Sequence, residues 1–157
     1  RSTADMNGFT GLALGFSMSF AAYLTMEQIP AKVANVVLSA VSSKIAIIAL
    51  IIVILLVVGC FVDNISSCLI LTPVFLPMVK AVGMDPVHFG IMMTVALAIG
   101  FVTPPYGVNL FVASAVAKLK IEEVSKAAIP FLAAMFVCLL LIAYIEPISM
   151  ALVWLLS

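Results

Sequence analysis

Charged side chains punctuate this chain at long intervals, and the apolar stretches between them set its architecture. Met6 to Met26 carries no charge between Asp5 and Glu27 and is long enough to cross a bilayer, which predicts a membrane helix over 6–28. Within it Gly11, Gly15 and Ser19 recur at every fourth position. Such a stripe lets another helix approach closely or lines a substrate path, and packing is the simpler reading. After Pro30, Val33, Val36, Val37, Ala40 and Val41 follow helical spacing while Lys32, Asn35, Ser39, Ser42 and Ser43 take the other face. This predicts an amphipathic helix over 31–44, too polar on one side to span and suited to the interface, with a solvent loop as the alternative.

Ile45 to Val62 is nearly pure Ile, Val and Leu; it meets Asp63-Asn64-Ile65-Ser66-Ser67 and turns apolar again from Cys68 to Val79. The first arm reaches about 27 Å, and the second, carrying Pro73 and Pro77, reads as about 12 residues. Irregular backbone at membrane depth must face protein or water, so 45–80 is expected to be a re-entrant hairpin or a broken helix. A second interruption follows a polar connection from Lys80 to His88. Phe89 to Val102 is too short to span, and Thr103-Pro104-Pro105-Tyr106-Gly107 separates it from Val108 to Ala117; this predicts a discontinuous helix over 88–118. Lys118 to Ala128 is polar, with Glu122 four residues before Lys126, which predicts an interfacial helix over 120–128. A last membrane helix is expected over 129–146, leaving at Glu146-Pro147 or, alternatively, running on to Leu156 with Glu146 inside the membrane.

Composition agrees with this pattern. Of 157 residues 66% are hydrophobic and 9% charged, against roughly 25% charged in a soluble domain. At about 20 residues per crossing the chain has no room for a separate catalytic domain, so an all-α integral membrane unit is expected. Seven basic and seven acidic side chains cancel, leaving no basic tract for nucleic acid. Cys60, Cys68 and Cys138 lie in apolar runs at spacings that suit neither a disulfide framework nor zinc and read as packing residues. The chain opens on Arg1, as expected for part of a longer protein. With a hairpin, Arg1, Lys118, Lys120 and Lys126 face one side and Lys32, Lys44 and Lys80 the other, a small bias that puts the Lys118 loop in the cytoplasm.

Two interrupted segments in succession point to secondary transport. A half-helix that stops within the membrane presents carbonyls to a cation; one that starts there presents N–H groups to an anion. Asp63 is costly in an apolar setting, about 2.5 to 3.5 kcal/mol at the bilayer centre, and calls for a compensating role. Its carboxylate with Asn64, Ser66, Ser67, Thr103 and Asn109 suits a hard cation such as sodium; the alternative is that Asp63 caps the following helix through the N–H of Ile65 or Ser66. His88 reads as an interfacial histidine or, less simply, a proton carrier. No nucleophile triad, nucleotide-binding glycine fingerprint or histidine pair for a metal is present, so enzymatic chemistry is not expected.

The stretches Gly59-Cys60-Phe61-Val62-Asp63, Leu71-Thr72-Pro73-Val74-Phe75-Leu76-Pro77, Gly83-Met84-Asp85-Pro86-Val87-His88-Phe89-Gly90 and Ile99 through Leu110, with Thr103-Pro104-Pro105-Tyr106-Gly107 at its centre, resemble the C-terminal part of the large membrane subunit of tripartite ATP-independent periplasmic (TRAP) transporters. Asn64, Tyr106 and Ala96 depart from that pattern. The resemblance implies an elevator-type, sodium-coupled importer of carboxylate-bearing solutes, of dicarboxylate or sugar-acid type, in a bacterial inner membrane. Its partners would be a small membrane subunit, a periplasmic substrate-binding protein and the N-terminal half of the same permease. Carried over residue by residue, Asp63, Asn64, Ser66, Ser67, Thr103 and Asn109 become candidates for sodium or substrate contact. Asp63, Ser66 and Thr103 would hold the ion, with backbone near Gly59, Val102 and Gly107 completing the shell. Sodium is the implied coupling ion and no other cofactor is expected. Two alternatives are a sodium-coupled anion transporter needing no binding protein and a membrane enzyme subunit relaying protons through Asp63, His88 and Glu146.

Overall fold

A computed structural model describes residues 2–40, 43–104 and 106–156, and these residues are helical almost throughout. In chain order the helices are α1 (Ser2–Met26), α2 (Ile29–Ala40), α3 (Lys44–Phe61), α4 (Asn64–Ala81), α5 (Pro86–Gly100), α6 (Val108–Ala117), α7 (Ile121–Tyr144) and α8 (Glu146–Leu156). Three of them, α3, α4 and α7, are long and apolar enough to cross a membrane.

The core forms where α3 lies on α5. Ile47, Ile48, Ile51, Ile52 and Leu55 recur at steps of one, three and four, so they share one face of α3. That face meets Phe89, Met92, Met93, Ala96 and Leu97 of α5, all essentially excluded from solvent. On the opposite side of α3, Val53, Val57 and Phe61 are exposed, as a membrane helix requires where lipid or another helix is its neighbour. α4 packs against α5 and also carries α1 and α2. The amphipathic pattern of α2 is realised: Ala34 is buried, Val33, Val37 and Leu38 are partly so, and Lys32, Asn35 and Ser39 face out. Val36, expected on the apolar face, is exposed instead. Val41 and Ser42, which the reading of 31–44 includes, lie outside the described residues.

α3 and α4 form a hairpin. Val62 and Asp63, both extended, are its whole link. At the open end the Lys44 ammonium donates to the Gly83 carbonyl at 3.5 Å, so the two arms begin and finish together. α4 runs for 18 residues rather than about 12. Prolines 73 and 77 each remove one helical hydrogen bond, yet the helix continues because Phe75, Met78 and Val79 are buried beside them and hold it in the core.

Further departures from the expected elements have physical reasons. The segments expected as 120–128 and 129–146 are one helix, α7: Pro130 lies inside it without ending it. The polar first turns and the apolar remainder belong to one uninterrupted helix, so 120–128 is not a separate element. α7 stops at Tyr144, and Glu146 opens the distinct helix α8; the half-buried Glu146 therefore stands at a corner, neither at a plain exit nor inside a continuing span. The glycine stripe of α1 is not its contact face. A Cβ added at Gly11 or Gly15 would meet nothing within 4 Å, whereas Ser17 is buried. α1 meets α4 through other positions, and its stripe stays open.

Candidate functional site

The hairpin tip and the break between α5 and α6 are held together by two glycines. A Cβ on Gly59 would lie 2.7 Å from the Leu97 carbonyl oxygen and 3.2 Å from the Gly100 Cα; one on Gly100 would lie 2.7 Å from the Leu56 carbonyl oxygen. Only glycine allows two backbones this close, and the crossing fixes the end of α3 against the end of α5. Just beyond it Cys60 Sγ lies 3.8 Å from the Thr103 carbonyl, and the rings of Phe61 and Tyr106 sit 5.1 Å apart. The interruptions that the sequence marks separately are thus neighbours in space.

Local hydrogen bonds shape the break. Val102 N–H donates to Ile99 O at 3.1 Å and Thr103 N–H to Gly100 O at 2.9 Å, tightening the last turn of α5. The Thr103 hydroxyl donates to Ile99 O at 2.7 Å. Gly107 N–H donates to Thr103 O at 3.0 Å and Asn109 N–H to Phe101 O at 3.2 Å, folding the start of α6 back over the turn. Gly107 is required here, since a Cβ would lie 2.8 to 2.9 Å from Phe101 O and the Thr103 backbone. The carbonyls four residues before Pro104 and Pro105, which lose their helical donors, are therefore largely engaged. Those of Gly100 and Phe101 each accept one such bond, and a carbonyl oxygen has a second lone pair.

At the tip, Asp63 caps α4: its Oδ2 accepts from Ser66 N–H at 2.9 Å. The carboxylate is exposed, so capping leaves its other lone pairs free. Asn64 opens α4, and its Oδ1 accepts from Cys68 Sγ at 3.4 Å. Ser66 and Ser67 are buried in the same turn, and Ser67 Oγ has no hydrogen-bond partner among the described residues. An orphaned buried hydroxyl costs about 1 to 3 kcal/mol.

The sequence-derived residues thus fall into two adjoining sets. Asp63, Asn64, Ser66 and Ser67 surround the first turn of α4, while Val102, Thr103, Gly107 and Asn109 shape the break; Gly59 joins the two as a packing residue. The Asp63 and Thr103 side chains have separate partners, the Ser66 N–H and Ile99 O. Beside the crossing opens a cavity of about 640 Å³, lined by Cys60, Phe61, Thr103 and Pro104 together with Ile129 and Phe136 of α7. Gly100, Cys60 and Tyr106 were not singled out as site residues from sequence; a lone glycine near the end of an apolar run was the available signal for Gly100.

His88 lies elsewhere. It is 3% exposed and faces a second cavity of about 440 Å³ with Lys44, Tyr144 and Glu146. Lys44 starts α3 and Asp63 follows its far end, roughly 27 Å of helix away. A direct relay through Asp63, His88 and Glu146 is therefore not assembled.

Residues 1–148 match the family model for the DctM component of the tripartite ATP-independent periplasmic transporter. Among curated relatives, the isethionate TRAP transporter permease protein DctMQ of Oleidesulfovibrio alaskensis is 50% identical over 83% of this chain and 21% of its own length. The C4-dicarboxylate TRAP transporter large permease protein DctM of Pseudomonas aeruginosa is 40% identical over 87% of this chain and 32% of its own. The sialic acid TRAP transporter large permease protein SiaM of Vibrio cholerae is 36% identical over 74% and 27%. The chain thus spans a fifth to a third of these relatives, which by name are transporter permeases and not enzymes. With the family model covering nearly its whole length, this membrane chain belongs to the DctM component family of TRAP transporters.

Proposed function

We propose that this chain is the C-terminal part of a large permease that imports a small organic acid together with sodium across a bacterial inner membrane. The observation that carries the reading is the Gly59–Gly100 crossing, which brings the α3–α4 tip against the α5–α6 break. There a helix start and a helix stop lie side by side, the arrangement that serves an anion and a cation at one place. Asp63, Ser66 and Thr103 supply oxygens of the hardness sodium prefers. The orphaned Ser67 hydroxyl and the N-terminus of α4 supply donors for a carboxylate. The hairpin with its open end at Lys44 and Gly83 acts as a re-entrant element of a moving unit, and α2 rides along the interface as an arm. The rest of the permease completes the cavity, a small membrane subunit braces it, and a periplasmic binding protein delivers the solute.

The solute is a carboxylate in the reading from resemblance, and relatives named for C4-dicarboxylates and sialic acid agree with it. The isethionate relative favours a second reading, a sulfonate in the same place. The test is uptake into vesicles reconstituted with the full-length permease, its small subunit and its binding protein, with labelled C4-dicarboxylate, sialic acid and isethionate offered under an inward sodium gradient. Accumulation of one acid that collapses when sodium is replaced by potassium is expected. Accumulation indifferent to sodium would contradict the coupling, and failure of all three would contradict the substrate class.

A further inference from the structure

The hydrogen-bond contacts around His88 can be completed in two ways, one for the neutral imidazole and one for the imidazolium. Asp85 caps α5 and Pro86 starts it, a local motif that plants His88 in the first turn with its ring turned inward. There Nε2 faces the Ala143 carbonyl at 3.3 Å, and Nδ1 faces the Ser149 hydroxyl. A carbonyl only accepts, so Nε2 carries a proton. The Ser149 hydroxyl lies 3.0 Å from the Glu146 carbonyl; when its one proton is given there, it accepts from His88, and Nδ1 then carries a proton as well. All three contacts therefore coexist only with the imidazolium. In the neutral ring Nε2 keeps its proton, Nδ1 becomes an acceptor, and the Ser149 hydroxyl turns from Glu146 to His88.

We infer that His88 and Ser149 form a proton-dependent hydroxyl switch at the corner where α5, α7 and α8 meet. A proton taken from water at Nδ1 hands the Ser149 hydroxyl back to the first turn of α8, and loss of that proton to water draws it onto α5. The moving atoms are one proton and one hydroxyl hydrogen, and no covalent bond between heavy atoms changes. The cavity of about 440 Å³ gives water a route to the corner. The titratable groups lining it with His88 are Lys44 from α3, Tyr144 from α7 and Glu146 from α8, and Asp85 stands at the head of α5 itself. Tyr144 also ties this corner to the hairpin base, its hydroxyl donating to Ile45 O at 3.3 Å. The switch thus adjoins the open end of the hairpin, away from its tip.

The test is nitrogen NMR of the full-length permease with labelled histidine in bilayers, recorded across pH. The His88 signals are assigned by their loss in His88→Gln or, independently, in His88→Asn. Two protonated ring nitrogens are expected on the acid side. On the alkaline side Nε2 stays protonated and Nδ1 is an acceptor, whose resonance moves downfield in Ser149→Ala because its donor is gone. A neutral ring protonated at Nδ1, an Nδ1 of one type at every pH, or an Nδ1 indifferent to Ser149→Ala would each overturn the switch.

Discussion

A single methyl group separates the glycines that shape this protein from those that do not. At Gly59 and Gly100 an added Cβ lands on backbone, which moves only if α3 and α5 separate, whereas at Gly90 it meets open space. Gly59→Ala and Gly100→Ala should each destabilise the full-length permease by about 1 to 3 kcal/mol through overpacking. Gly90→Ala should stabilise α5 by about 0.5 to 1 kcal/mol, because alanine loses less backbone freedom in a helix. Thermal unfolding in detergent checks this, and equal effects at Gly59 and Gly90 would mean that the crossing is not tight. Asp63 combines two roles that substitution separates. Asn caps a helix as well as Asp, so Asp63→Asn should leave stability nearly unchanged, while Asp63→Ala should lose about 1 kcal/mol. Comparing the two melting curves isolates the cap from the charge.

Among the elements, both interruptions were legible because polar or proline residues break long apolar runs at Asp63-Asn64 and at Thr103-Pro104. The continuity of α4 and α7 was not legible. A proline signals the hydrogen bond it removes, whereas the burial of Phe75, Met78 and Val79 that keeps α4 going depends on α2 and α5 packing against it, which no local pattern announces. The site divides the same way: Asp63 as a cap follows from its position before a helix, but the contact of Cys60 with Thr103 needs the two glycines to meet. The buried role of His88 escaped because its partner, Ser149, lies 61 residues away. The hairpin makes its own prediction. Lys44 and Lys80 flank its open end, where Lys44 reaches Gly83, so single cysteines at the two positions in the full-length permease should react with an impermeant reagent from the same side. Labelling from opposite sides would mean that α3 and α4 together make one broken crossing rather than a hairpin.

The whole molecule exposes more apolar surface than water tolerates: Phe16, Phe20 and Tyr23 on α1, Phe111 and Val116 on α6, Phe131 and Val137 on α7. Expressed alone, the chain should stay with membranes after alkaline carbonate extraction and dissolve only in detergent; release into the carbonate supernatant would contradict its membrane assignment. Faces of this kind call for lipid or other helices as neighbours. The central claim is that tip and break share one sodium site, and the direct measurement is the sodium concentration for half-maximal uptake by the reconstituted full-length transporter. Asp63→Asn and Thr103→Ala should each raise it about tenfold, the effect of losing one hydrogen-bond-strength contact to a charge, and the double variant should rise by less than the product because both act on one ion. Unchanged values in both single variants, or a strictly multiplicative double variant, would contradict a shared site.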